Sequence, residues 1–296
     1  MASSRRFIYA GNRSTVLKRM LELGVDVVHV LPTEGSWLAR EVAEIGLPAT
    51  TIASKAEAIR FLEAARFDVF VSTGFRFILP ISQLRTGQPE ATYVNVHPSA
   101  LPDLRGADPV PGAILFRRDS GVTCHLMDDG IDTGQAIARR SIPYFDGLDA
   151  KLLYHLCFRL EPEVFQAAWE KDFAATETNE PATGDAIYYS FRTGDDCFHA
   201  DDTPGKLVDR LRAFNTPGKG LRFSIGEENF KAFSADIIPA DGARLSVGGA
   251  AKWTVSGIYE DCILVDGVEV AVRLAGVLPR PSPALVGKKV AAPLTG

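Results

Sequence analysis

Residues 94–106 read VNVHPSALPDLRG. In an extended chain Val94 and Val96 fall on one face, and Asn95 and His97 on the other. Pro98, Pro102 and Gly106 then stop the strand, since each proline removes a backbone donor and fixes φ. A strand that finishes on two polar side chains and a rigid turn fits the carboxyl edge of an open α/β sheet, and ligands of such sheets bind beyond that edge.

Outward from this stretch, the first 145 residues alternate short apolar runs with amphipathic ones. RRFIYA (5–10), VDVVHVLP (25–32), ATTIA (49–53), FDVFVSTG (67–74) and ATYVNV (91–96) read as strands. Between them STVLKRMLELG (14–24), EGSWLAREVAEIG (34–46) and SKAEAIRFLEAARF (54–67) read as helices, the last with Ser54 as N-cap. PVPGAILFRR (109–118) reads as a further helix, and GVTCHLM (121–127) and QAIARRSIPY (135–144) as two more strands. Strands separated by helices predict an α/β domain with a doubly wound, mostly parallel Rossmann-like sheet. LDAKLLYHLCFRLEPEVFQAAWEK (148–171) closes it as a long helix, interrupted or kinked near Pro162.

The expected division is 1–172 for this catalytic domain, 173–185 for a linker and 186–296 for a smaller, β-rich C-terminal domain. Residues 172–185 carry no Lys or Arg and have a linker's composition. Beyond one short helix at 202–214, the runs GLRFSI, NFKAFSADII, KWTVSGIYE, CILVDG and VEVAVRLAGVL suggest a small barrel or sandwich. Residues 278–296 read as an irregular tail with Lys288 and Lys289 exposed.

A hydrophobic content of 46% and a charged content of 23% are those of a globular chain. No apolar run reaches the roughly 20 residues of a membrane helix, and no leader pattern stands at residue 1, so a cytoplasmic location is expected. Cys124, Cys157, Cys197 and Cys262 are widely spaced without a CxxC pair, which points to neither a zinc site nor disulfides. The loop AGNRST lacks the GxGxxG spacing, and no GxxxxGK[ST] occurs, so no NAD or other dinucleotide is expected. DDGID lacks an EF-hand's spacing and its closing Glu, so no metal is expected either.

The groups suited to chemistry are Asn95, His97 and Asp132, the last in the glycine-punctuated loop MDDGIDTG (127–134). An amide donor, an imidazole and a carboxylate together suit acyl transfer to an amine. By residue type alone a second reading stands beside this one: a hydrogen-bonded structural histidine, a turn-capping asparagine and an ordinary acidic loop.

The stretch VNVHPSALPDLRGADPVPGAILFRRDSGVTCHLMDDGIDTGQ (94–135) resembles the folate-dependent N-formyltransferases, whose pattern runs N-x-H-x-S-L-L-P-x-x-R-G, then a helix, then G-V-T-x-x-x-M-x-x-x-x-D-x-G. Departures are Ala100 in place of the usual Leu, and Ala107-Asp108 after the Arg-Gly pair. RAFNTPGKGLRFSIGEENFKAFSADII (212–238) and VDGVEVAVRLAGVLPRPS resemble that family's OB-like C-terminal domain. The resemblance implies a catalytic trio of Asn95, His97 and Asp132, with 10-formyltetrahydrofolate as donor and a primary amine as acceptor. It implies a folate site at Phe77, Ile78 and Leu79, at Ser99, Ala100, Leu101 and Pro102, and at Asp128, Asp129, Gly130 and Ile131.

For the acceptor, the tRNA-modifying members carry a basic, glycine-rich insertion after the second strand, whereas this chain runs from VLPTEGSW straight into a helix. Residues 186–296 hold 13 Lys and Arg against 13 Asp and Glu, so little there favours phosphate backbone. A nucleotide-linked amino sugar is therefore the expected acceptor. Methionyl-tRNA, a hydroxyornithine-like amine and a non-enzymatic folate-binding module are the alternatives. Trp37, Tyr93, Tyr144 and Tyr154 are the aromatic candidates around the acceptor, and a homodimer is compatible with the sequence.

Overall fold

The computed structural model describes residues 5–175, 185–238, 253–266 and 270–294. Residues 176–184, most of the expected linker, lie outside the described residues. The chain divides into two compact units: residues 1–109, 119–143 and 154–190 form the first, and 110–118, 144–153 and 191–296 the second.

In chain order the first half contains β1 (Arg6–Gly11), α1 (Thr15–Glu22), β2 (Asp26–Pro32), α2 (Trp37–Ile45), α3 (Lys55–Ala64), β3 (Val69–Thr73), α4 (Ile81–Gly87), β4 (Thr92–His97), α5 (Pro109–Leu115), β5 (Ser120–Leu126), β6 (Ala136–Ile142) and α6 (Ala150–Glu170). Six strands form one sheet in the order β2-β1-β3-β4-β5-β6. The pairs β1/β2, β1/β3 and β3/β4 are parallel, while β4/β5 and β5/β6 are antiparallel. The short loop from β5 to β6 permits only the antiparallel arrangement. β3 is buried at every residue, as a central parallel strand covered on both faces must be.

Local signals hold where the sequence placed them. Ser54 Oγ accepts from the Glu57 N–H at 3.2 Å, and Glu57 reaches back to the Ala53 N–H at 2.9 Å, capping α3 from both sides. Gly46 ends α2 at φ +76°.

Two expectations are corrected, and one helix is new. ATTIA makes only isolated bridges to the β2 edge, Val30 with Ala49 and Thr33 with Ile52, and forms no strand. α6 runs without interruption through Pro162, where the burial of Val164, Phe165 and Ala168 just beyond offsets the lost backbone bond. α4 was not foreseen: its Ser82 N–H is capped by Asp129 Oδ1 at 3.0 Å, from a loop 47 residues away.

The second half contains α7 (Pro204–Phe214), β7 (Leu221–Ile225), β8 (Glu228–Ala232), β9 (Ser234–Ile238), β10 (Thr254–Tyr259), β11 (Cys262–Asp266), β12 (Ala271–Ala275) and β13 (Val290–Ala291). They build two antiparallel sheets, β10-β11-β12-β9 and β13-β7-β8, around Phe198, Leu211, Phe223, Phe230, Trp253 and Val265, an arrangement consistent with an OB-like domain. The tail is not irregular. Val290 pairs with Ile225, the Val255 N–H donates to the Lys288 carbonyl at 2.9 Å, and Leu285 and Val290 enter the core. No helix among the described residues is long and apolar enough to cross a membrane.

Candidate active site

β1 has β2 on one side and β3 on the other, so the chain switches direction across the sheet between β1 and β3. At such a point the loops leaving the carboxyl ends diverge and open a crevice. A cavity of about 460 Å³ lies there, with Asn12 and Arg13 after β1, Gly74 after β3 and His97 at the end of β4 among its lining residues.

Asn95, His97 and Asp132 all line it. Asp132 Oδ1 is 3.4 Å from Asn95 Nδ2 and 3.6 Å from His97 Nδ1, and Oδ2 accepts from the Gly106 N–H at 3.0 Å. Asp132 sits at φ +54°, a left-handed conformation costing on the order of 1–2 kcal/mol for a non-glycine residue. Gly106, at φ +107°, is a necessary glycine: a Cβ there would stand 2.4 Å from the Tyr189 carbonyl oxygen. The prolines of the opening stretch thus lead the chain into a turn whose last N–H grips the carboxylate.

His97 is 6% exposed, and its Nε2–H donates to the Leu104 carbonyl at 3.1 Å. That bond fixes the neutral tautomer and leaves the Nδ1 lone pair toward Asp132. Burial holds His97 below the ordinary histidine value, against the pull of Asp132. Burial also works against ionisation of Asp132, but His97, His125 and the Gly106 N–H outweigh it, and the carboxyl is held well below the usual carboxylate range.

The sequence reading missed His125. It lies directly across from Asn95 in the β4/β5 register, is 2% exposed, and brings Nε2 to 3.2 Å from Asn95 Nδ2 and 3.5 Å from Asp132 Oδ1. The available signal was a histidine at an alternating position in the apolar strand GVTCHLM.

Among the residues expected at the folate site, Phe77, Ile78, Leu79, Asp128, Gly130 and Ile131 line the cavity, together with Phe75 and Met127. Ser99, Ala100, Leu101, Pro102 and Asp129 do not. Ser99 and Leu101 are buried behind His97, where Thr123 Oγ1 donates to the Ser99 carbonyl at 2.8 Å and accepts from the Leu101 N–H at 3.1 Å. Asp129 is occupied in capping α4.

Another group of lining residues is aromatic: Tyr154, Phe158 and Tyr188, with Arg13 packed 4.7 Å over the Phe158 ring. Arg13 is consumed by the buried Glu161, to which Nε donates at 2.9 and 3.1 Å and Nη2 donates as well. Burial pushes the Tyr154 phenol up to about 12, with Asp108 adding to it, so it remains a hydroxyl donor. Of the other aromatic candidates, Tyr93 is fully buried core, Trp37 is 62% exposed outside the cavity lining, and Tyr144 belongs to the second unit.

The sequence pattern of the formyl transferase family matches residues 22–168. The methionyl-tRNA formyltransferase of Paramagnetospirillum magneticum is 31% identical over 206 residues, which cover 68% of this chain and 67% of that protein. The chain belongs to the formyl transferase family. The methionyl-tRNA formyltransferase of Bordetella avium is 31% identical over 180 residues, and the match spans 57% of its length and 60% of this chain. Among solved structures, the sugar 3-N-formyltransferase WlaRD, crystallised with dTDP and 5-N-formyl-THF, shares the fold at TM-score 0.69 and 18% identity, with 95% of this chain and all of that one covered.

Proposed function

We propose that this formyl transferase family member moves the formyl group of 10-formyltetrahydrofolate to a primary amine, and that the amine is carried by a nucleotide-linked amino sugar. The observation that carries the first part is the convergence of Asn95 Nδ2, His97 Nδ1 and the Gly106 N–H on one partly buried carboxylate, Asp132, lining a cavity of about 460 Å³. Phe77, Ile78, Leu79, Met127 and Ile131 give a flat reduced pteridine the apolar contact it needs.

Neutral His97 and ionised Asp132 suit this chemistry at neutral pH. The amine attacks the formyl carbon as a neutral nucleophile, and Asn95 Nδ2–H donates to the oxygen as it becomes anionic. One such donor contributes on the order of 3 kcal/mol. The attacking nitrogen loses its proton to His97 Nδ1, because Nε2–H is held by Leu104. Asp132 stabilises the imidazolium formed, worth roughly 10²- to 10⁴-fold with the proton transfer itself. The proton then passes to folate N10 as the C–N10 bond breaks, leaving a formamide and tetrahydrofolate.

Two observations support an amino-sugar acceptor. The aromatic group Tyr154, Phe158 and Tyr188 offers ring faces to a pyranose, and the Arg13 guanidinium beside it is already paired with Glu161. The formal neutrality of residues 186–296 supports little phosphate-backbone contact. The likeness to the methionyl-tRNA formyltransferases of Bordetella avium and Paramagnetospirillum magneticum favours methionyl-tRNA as the second reading.

The test offers 10-formyltetrahydrofolate with nucleotide-linked amino sugars, charged initiator tRNA or N-hydroxyornithine, and follows tetrahydrofolate release. Release with an amino sugar is expected. Release only with charged tRNA would replace the acceptor, and folate binding without release for any amine would leave a binding module.

A further inference from the structure

Within the trio, Asn95 is oriented only by one long contact, from its Nδ2 to Asp132 Oδ1 at 3.4 Å. A terminal amide can rotate by half a turn and exchange its NH₂ for its oxygen at little cost unless both ends are specified by partners. If the oxygen faced the formyl group, it would repel the developing oxyanion instead of stabilising it.

His125 supplies the missing specification. Its Nδ1 lies 2.7 Å from the Leu126 carbonyl oxygen, an acceptor only, so Nδ1 must carry the hydrogen. With that one hydrogen on the ring, Nε2 offers a lone pair, and Nε2 lies 3.2 Å from Asn95 Nδ2. The second Asn95 N–H reaches Asp132 Oδ1 at 3.4 Å, a longer and weaker bond. His97 holds the opposite tautomer, with Nε2–H on Leu104. The backbone makes the arrangement specific: His125 faces Asn95 in register, and the β5/β6 pairing shifts by a residue between Cys124 and His125. Such bulges aim side chains beside functional sites.

We propose that His125 is a positioning residue for formyl transfer: its Nε2 lone pair anchors one Asn95 N–H, so that the other, weakly held by Asp132, is the one given to the oxyanion. This rests on the formyl-transfer reading above. His125 touches neither the formyl group nor the amine in this scheme; it acts through the Asn95 amide, with Asp132 Oδ1 also 3.5 Å from its Nε2.

The test compares His125→Gln with His125→Met in the full chain. The two side chains have similar length and volume, but only Gln can place an acceptor oxygen near the Nε2 position. His125→Gln is expected to keep kcat within about threefold, while His125→Met lowers it by about 10- to 10²-fold, short of the loss from removing an oxyanion donor outright. The dissociation constant for folate should stay within about twofold in both. Equal kcat in the two variants, whether high or low, would overturn the proposal, since a packing role does not distinguish them. A separate readout needs no turnover: in full-length protein labelled with ¹⁵N-histidine, His125 should be protonated at Nδ1 and bare at Nε2, and Asn95→Ala should shift that Nε2 resonance. A hydrogen on Nε2 would overturn the proposal even if the wild type formylated no amine, a result that would by itself sink only the formyl-transfer reading.

Discussion

At the residue scale, the account turns on which nitrogen of His97 is available. Leu104, at φ +58°, turns its carbonyl onto Nε2, and this leaves the Nδ1 lone pair facing Asp132, where the proposed mechanism needs its base. The strain of that conformation, about 1–3 kcal/mol, is spent on fixing a tautomer. His97→Gln should therefore lower kcat by at least about 10²-fold with folate binding largely intact, as a calorimetric titration of folate beside single-turnover kinetics would show. The wild type should lose kcat/KM as pH falls below 6.5, since burial places the folded value of His97 beneath that ordinary one, and the variant should lack this limb. The trio was legible because strand alternation puts Asn95 and His97 on one face and glycines mark the Asp132 loop. His125 was not, because its meaning depends on the β4/β5 register, which no local pattern encodes.

At the scale of elements, the loop after β1 is fastened to α6. Arg13 binds Glu161, Thr15 Oγ1 donates to Glu161 Oε2 at 2.9 Å, and Arg13 Nη1 donates to Asn12 Oδ1 at 2.8 Å. Both members of the pair are buried, so removal of one leaves an uncompensated charge. Glu161→Ala should cost about 3–5 kcal/mol in denaturant unfolding, and it should raise the acceptor KM more than the folate KM, because Asn12, Arg13 and Phe158 line the cavity. Nothing in the sequence joins these residues, which lie 148 positions apart. The same is true of α4, whose cap comes from Asp129. Helices with local caps, α2 and α3, were legible; those completed by distant side chains were not. Pro162 misled in the other direction, because propensity prices its lost bond and omits the burial around it.

At the scale of the whole molecule, two groups tie the site to acid sensitivity. His97 and Asp132 both have values depressed in the fold, relative to 6.5 and 3.8 in an ordinary setting. For a depressed group the unfolded chain takes up the proton first, so the stabilisation is present above the ordinary value and is lost as pH falls toward the folded one. Melting temperature should thus decline first as pH drops below 6.5, and again below 3.8; His97→Gln should shrink the first decline to the part left by His29, which burial also holds below its ordinary value. The division into an α/β half and a β-rich half was legible from the change in periodicity after residue 200. The pairing of the C-terminal tail with β7 was not, since a two-residue strand carries no periodicity of its own. The central claim is that Asp132 organises a formyl-transfer site. Its most direct test is single-turnover transfer of ¹³C-formyl from 10-formyltetrahydrofolate to a nucleotide-linked amino sugar by wild type and by Asp132→Asn. The account predicts a labelled formamide from the wild type and a rate at least about 10²-fold lower in the variant, with folate affinity within a few-fold. Transfer by Asp132→Asn at close to the wild-type rate would contradict it.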